Sequence, residues 1–126
     1  MLADVERAAV LSWVLDGLIR GDGIQGWIES LGQRSDDAVA ALRTLGAQAH
    51  AALLARAFAL FPTRASSDAE TRLSSMGSWT TEDVDDWREL EEQYLDLIKD
   101  DDLIDNYLRP FILAHPDAFP QTVEEL

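Results

Sequence analysis

The chain has 126 residues, and its 24 acids stand against ten Lys and Arg for a formal charge of −14, with no cysteine. That charge repels phosphates, which argues against bare nucleic acid or an anionic membrane surface as ligand. The missing thiols exclude disulfides, a thiolate nucleophile and Cys-ligated zinc. Hydrophobic residues make up 47% of the chain, enough for one core, so a single domain over 1–126 is expected.

Residues 2–19 form the most apolar stretch near the N-terminus, but Asp4, Glu6, Arg7 and Asp16 interrupt it. It fits neither a bilayer span nor a signal peptide, and a cytoplasmic location is expected. Val5, Ala8, Ala9, Ser12, Trp13, Leu15, Leu18 and Ile19 have helical spacing and cover much of the helix circumference. The first helix therefore reads as central and buried, Trp13 included. Gly21-Asp22-Gly23 breaks it, and Ile24, Trp27, Ile28 and Leu31 give a shorter helix closed by Gly32. Ser35 reads as the N-cap of a third helix carrying Val39, Leu42 and Leu45, with Gly46 at its C′ position. Residues 47–61 restart with Leu54, Ala57, Phe58 and Phe61 and stop at Pro62, which predicts an antiparallel helix pair.

Residues 62–80 carry Pro62, five serines and Gly77 and read as a loop with one helical turn around Arg72–Met76. Thr81 reads as the cap of the next helix, whose apolar stripe is Trp87, Leu90, Tyr94, Leu97 and Ile98. Leu103, Ile104, Tyr107, Leu108, Phe111 and Ile112 form the last helix, which Pro110 kinks or splits. No segment alternates with period two. The expected fold class is all-α, one compact domain of about six helices with a strongly acidic face. Trp13, Leu18, Trp27, Leu42, Leu54, Phe58, Leu90, Tyr94, Tyr107 and Phe111 are its expected core.

The acidic face is the segment 81–105. Between Glu82 and Asp105 lie twelve acids and only two bases, Arg88 and Lys99, a net −10 of the chain's −14. Twelve carboxylates on about 36 Å of helix is about one per 3 Å. One strand of duplex DNA carries a charge per about 3.4 Å. Glu82, Asp85, Asp86, Glu89, Glu92 and Asp96 also recur every three or four residues, so they line one face away from the apolar stripe. A solvated face is the plain alternative, yet like charges at this spacing destabilise a helix. A face serving solubility alone would interleave more Lys. Glu82, Asp85, Asp86, Glu89, Glu92, Asp96, Asp100, Asp101 and Asp102 are therefore the expected partner-binding face, and Trp79, in the preceding loop, is its candidate apolar anchor.

Other chemistry is thin. His50 and His115 have no His or Cys neighbour at metal-ligand spacing. His50, in an Ala-rich helix, reads as a surface or core residue and His115 as a helix C-terminal residue favoured by the dipole. A crowd of exposed acids is not a tuned acid–base pair. Asp100-Asp101-Asp102 with Asp105 lacks the ligand order of a calcium loop, and Gly21-Asp22-Gly23 lacks the rest of a phosphate-binding motif. No catalytic residue, metal site or cofactor is expected.

Four segments in order resemble the DNA-mimic protein family. They are Gly21-Asp22-Gly23-Ile24-Gln25-Gly26-Trp27, the helix pair from Ala40 to Pro62, Leu90-Glu91-Glu92-Gln93-Tyr94, and Ala114-His115-Pro116-Asp117-Ala118-Phe119. The turn departs from the family's Asn-Gly-Gly-aromatic signature at Gly21, Asp22 and Ile24. The resemblance implies an all-helical homodimer whose acidic surface occupies the DNA-binding face of a basic DNA-binding protein or transcription regulator. Composition leaves two other roles open, an immunity or antidote protein against a basic toxin and a cation-binding regulatory domain. Salt and chelators separate the mimic from the cation site.

Overall fold

The computed structural model describes the backbone of residues 2–119 and the side chains of residues 4–119; residues 1 and 120–126 of the expected domain lie outside the described residues. Its α-helices are α1 (Leu2–Leu31), α2 (Ser35–Thr44), α3 (Gln48–Phe58), α4 (Ala69–Leu73), α5 (Thr81–Asp100) and α6 (Arg109–Ala114). Short 3₁₀ turns follow α1 (Gly32–Arg34) and α4 (Ser74–Ser78), and a π-helical turn, Ile104–Leu108, precedes α6. Among the described residues no strand forms. The fold is all-α, as the spacing predicts.

α1 is two helices joined at Gly23, whose φ of 75° and ψ of −175° only glycine adopts without strain. The half after the kink sends Ile24, Trp27 and Ile28 into the core. Trp27 stacks on Phe58 of α3 at 6.3 Å, and its indole N–H donates to Ser35 Oγ at 2.9 Å. Ser35 in turn donates to the Gly32 carbonyl. Ser35 is therefore a buried relay and not an N-cap; the cap position belongs to Arg34, which makes no side-chain cap bond. Indole burial needs an acceptor, and Ser35 supplies it.

Gly46 ends α2 as expected. Its φ is 87°, its N–H reaches Arg43 O, and Ala47 N–H reaches Leu42 O, the paired bonds of a Schellman stop. α1 packs on α2, α2 on α3, and α3 on α5, which lies along the bundle with Leu90, Tyr94 and Ile98 buried. α5 is capped by Thr80, one residue before the expected Thr81. Thr80 Oγ1 accepts from Asp83 N–H, and Asp83 accepts from Thr80 N–H. This capping box fixes the start of the acidic helix. The turn expected at 72–76 is there and longer at both ends, as α4 plus the 3₁₀ turn. Pro110 cannot donate a helical bond, and the chain meets it with the π turn, where Arg109 N–H reaches back to Ile104 O.

Trp27, Leu42, Leu54, Phe58, Leu90 and Tyr94 are buried as expected. Leu18, Tyr107 and Phe111 are only partly buried. Trp13 is a clear correction, since it is 65% exposed, beside Val10 at 58%. α1 is apolar nearly all round but is packed along one side, so the Val10/Trp13 side faces outward.

Candidate protein-binding face

The capping box aims α5 so that its apolar stripe meets α3 and its opposite side meets solvent. Glu82, Asp85, Asp86, Glu89, Glu92, Asp96 and Asp100 are all exposed. At about 100° per residue they fall within about a third of the helix circumference, opposite the buried stripe. Asp96 is paired with Lys99 at 3.7 Å, both side chains being mostly exposed. Glu89 accepts from Gln93 one turn on. The other five carboxylates of the row make no ion pair among the described residues.

The remaining acids of the segment do other work. Asp83 belongs to the capping box. Glu91 turns inward, and its Oε1 accepts from Ile24 N–H at 2.8 Å. It thereby caps the second half of α1 across the kink, where an unpaired N–H and the helix dipole favour an anion. A Cβ on Gly23 would lie 2.3 Å from that same oxygen. Gly23→Ala is therefore expected to cost about 1–3 kcal/mol of unfolding free energy, from backbone strain and displacement of Glu91. Urea unfolding followed by circular dichroism measures it; a loss under 0.5 kcal/mol would contradict the capping role.

Asp101 and Asp102, expected on the binding face, are half-buried and internally bonded. Asp101 accepts from Tyr107 O–H at 2.5 Å and from Asn106 at 2.8 Å, and these bonds hold its carboxyl below the usual carboxylate range. Asp102 accepts from Asp105 N–H and meets Arg20 at 3.1 Å, and its carboxyl is held low mainly by that backbone N–H. Their side chains fasten the turn after α5 to α1 and to the π segment. Asp105 pairs with Arg109 at 3.0 Å. Among the described residues no three His, Asp or Glu side chains gather as a metal-binding set.

The exposed row is thus shorter and sparser than the raw sequence count. Seven carboxylates over about 27 Å give about one per 4 Å, still close to the spacing of about 3.4 Å in one DNA strand. A shallow groove runs along its flank, lined by Arg56, Ala59 and Leu60 beside Asp86, Glu89 and Leu90. Trp79, the expected anchor, is half-buried against Phe61 at 5.0 Å and Trp87 at 5.9 Å. It packs the start of α5 onto the end of α3, and the apolar surface beside the row is Ala59 and Leu60.

Sequence reasoning passed over a second set of residues at the end of α5. Asp16 is 5% exposed and holds Arg20 at 2.8 Å. Burial pushes its carboxyl up, against the pull of Arg20. Arg20 continues to Asp102, so Asp16–Arg20–Asp102 ties α1 to the turn after the acidic helix. His50 is fully buried in α3, and its Nε2 meets Asp101 O at 2.9 Å. An Asp inside an apolar run was the one available signal.

These features define a helical protein that presents a rigid row of carboxylates on one face of a single long helix. No curated protein and no solved structure matches the chain. The sequence model of the DMP19-like protein family matches residues 1–114, nearly the whole described chain. The chain belongs to that family, the DNA-mimic family its motifs resemble. The match stops just before His115-Pro116, so the C-terminal motif lies beyond it. No helix among the described residues is long and apolar enough to cross a membrane.

Proposed function

We propose that the exposed row on α5 occupies the DNA-binding face of a basic DNA-binding protein or transcription regulator and competes with DNA for it. The observation that carries this reading is the spacing of the exposed carboxylates, about that of the phosphates on one strand, on a helix whose backbone holds them in place. Lys and Arg that contact phosphates meet fixed anions, and the summed field speeds the encounter. Each exposed pair contributes about 0.2–1 kcal/mol, so affinity rests on several pairs plus apolar contact at Ala59 and Leu60. The test is competition. Titrated into a complex of DNA with a DNA-binding protein from the same cell, the protein releases the DNA, far less well at high salt, and a chelator changes nothing. Release of DNA from none of the cell's DNA-binding proteins, or a chelator-sensitive effect, would overturn the reading.

Homodimerisation belongs to the same proposal, and the Val10/Trp13 face of α1 is its surface. Two copies at −14 repel each other, so they meet where charge is balanced. The groove around Val10 and Val14 is lined by one acid, Glu6, and two bases, Arg7 and Arg34, so the chain's negative charge is offset there. A two-fold pairing brings unlike charges together there and covers both Trp13 rings. Sedimentation at micromolar concentration is expected to give a dimer mass for the native chain and a monomer mass for Trp13→Glu. A monomer in both would refute this part while leaving the competition assay intact.

A further inference from the structure

Four polar atoms lie buried beneath the end of the acidic helix with no hydrogen-bond partner in the protein. They are Ser12 Oγ, Asp16 Oδ1, His50 Nδ1 and Tyr94 O–H. Their residues are 0–5% exposed. Ser12 and Asp16 stand one turn apart on the same face of α1, where side chains four residues apart are neighbours. The His50 and Tyr94 rings meet edge to face at 6.0 Å. Burial, and after it the nearby Asp16 charge, push the Tyr94 phenol up. A buried donor or acceptor left unpaired carries its full desolvation cost, and native interiors rarely leave several together.

The valences of the four are fixed by their other contacts. A carbonyl only accepts, so His50 Nε2 carries the hydrogen given to Asp101 O, and in the Nε2–H tautomer Nδ1 is a bare acceptor. Asp16 holds Arg20 through Oδ2, which leaves Oδ1 as a second acceptor. Ser12 and Tyr94 each have a hydroxyl hydrogen to give. Two donors and two acceptors are the complement of one water molecule, which accepts twice and donates twice.

We propose that Ser12, Asp16, His50 and Tyr94 form a binding site for a buried water that joins α1, α3 and α5. The water accepts from Ser12 and Tyr94 and donates to Asp16 Oδ1 and His50 Nδ1. Polar sites with two to four partners are where internal waters are held. Through His50 it supports the Asp101 carbonyl, and through Asp16 and Arg20 it supports Asp102, so the hydrated node braces the C-terminal end of the carboxylate row. The site stands whether or not the row binds a protein.

Two measurements on the native chain test it. In nuclear magnetic resonance spectra, the His50 and Tyr94 ring protons are expected to show cross-peaks to water with the sign of a long-lived bound molecule, and the His50 nitrogens to show the Nε2–H tautomer with Nδ1 as acceptor. A crystal structure at atomic resolution is expected to show one water within hydrogen-bond distance of at least three of the four atoms. An Nδ1–H tautomer, or a crystal structure in which the four atoms bond directly to one another, would overturn the proposal. Tyr94→Phe, which keeps the ring and removes one donor, is expected to lose or shorten the water's residence; unchanged cross-peaks at His50 would remove Tyr94 from the site.

Discussion

Asp85→Lys with Glu89→Lys is expected to abolish displacement of DNA at physiological salt and leave the protein folded. Both side chains are exposed on the free row, one turn apart and off the apolar stripe. The double change removes two attractive pairs with the partner and introduces two repulsive ones. At about 0.2–1 kcal/mol for each exposed pair, the total is about 1–4 kcal/mol, or about a 5- to 1,000-fold loss of affinity. Stability should hold or rise slightly, because the two lysines face unlike charges three residues away, in Glu82, Asp86 and Glu92, where the native carboxylates face like ones. A thermal melt checks the fold and the competition assay checks the affinity. Asp105→Asn is the matched control, since Asp105 lies in the same acidic segment but pairs with Arg109 outside the row. Equal displacement by the double variant and the native chain would reduce α5 to a solvated face.

Arg72→Met is expected to destabilise the protein by about 3–5 kcal/mol, because it strips several buried carbonyls of their donor at about 1–3 kcal/mol each. Arg72 is 4% exposed and makes no ion pair among the described residues. Its guanidinium donates to the carbonyls of Ile28, Glu29 and Ser66 and to Gln33 Oε1. Ile28 and Glu29 lie in the last turn of α1, where the helix dipole is negative and carbonyls lack helical partners. One side chain thus caps α1 and anchors the 62–80 segment that leads to α5. Gly32 makes room for it, since a Cβ there would lie 2.8 Å from Arg72 Cδ. Methionine keeps part of the volume and none of the donors. Arg72→Lys should recover only a fraction, because an ammonium cannot span carbonyls in four places as the planar fork does. Urea midpoints for the three proteins measure this, and a loss below 1 kcal/mol for Arg72→Met would show that the carbonyls find other partners.

The helices themselves were legible in the sequence because their causes are local. Spacing of three and four, the Gly46 stop and the Pro110 break depend on residues a turn or two apart, and each stands where the pattern predicts it. The acidity of α5 and the side it faces follow from the same periodicity, since Trp87, Leu90, Tyr94 and Ile98 fix its inner side. The cap of α5 was legible to within a residue, as Thr80 and Thr81 offer the same chemistry and only backbone geometry chooses between them, whereas Ser35 is drawn from its expected cap by the Trp27 indole.

What the tertiary structure alone decided are the pairings over long stretches of chain. Glu91 serves Ile24 from 67 residues away, Arg72 serves Ile28 from 44, and Arg20 meets Asp102 across 82. In the sequence Asp101 and Asp102 are indistinguishable from the acids of the row, yet folding turns them to internal bonds and leaves seven carboxylates exposed on the outer side of α5. Trp13 shows the same limit for apolar residues. A helix that is apolar all round does not say which side its neighbours cover, and α2, α4 and α5 leave Val10 and Trp13 outside. Periodicity records how a segment divides itself between inside and outside; which distant group meets each polar atom depends on how the helices are stacked.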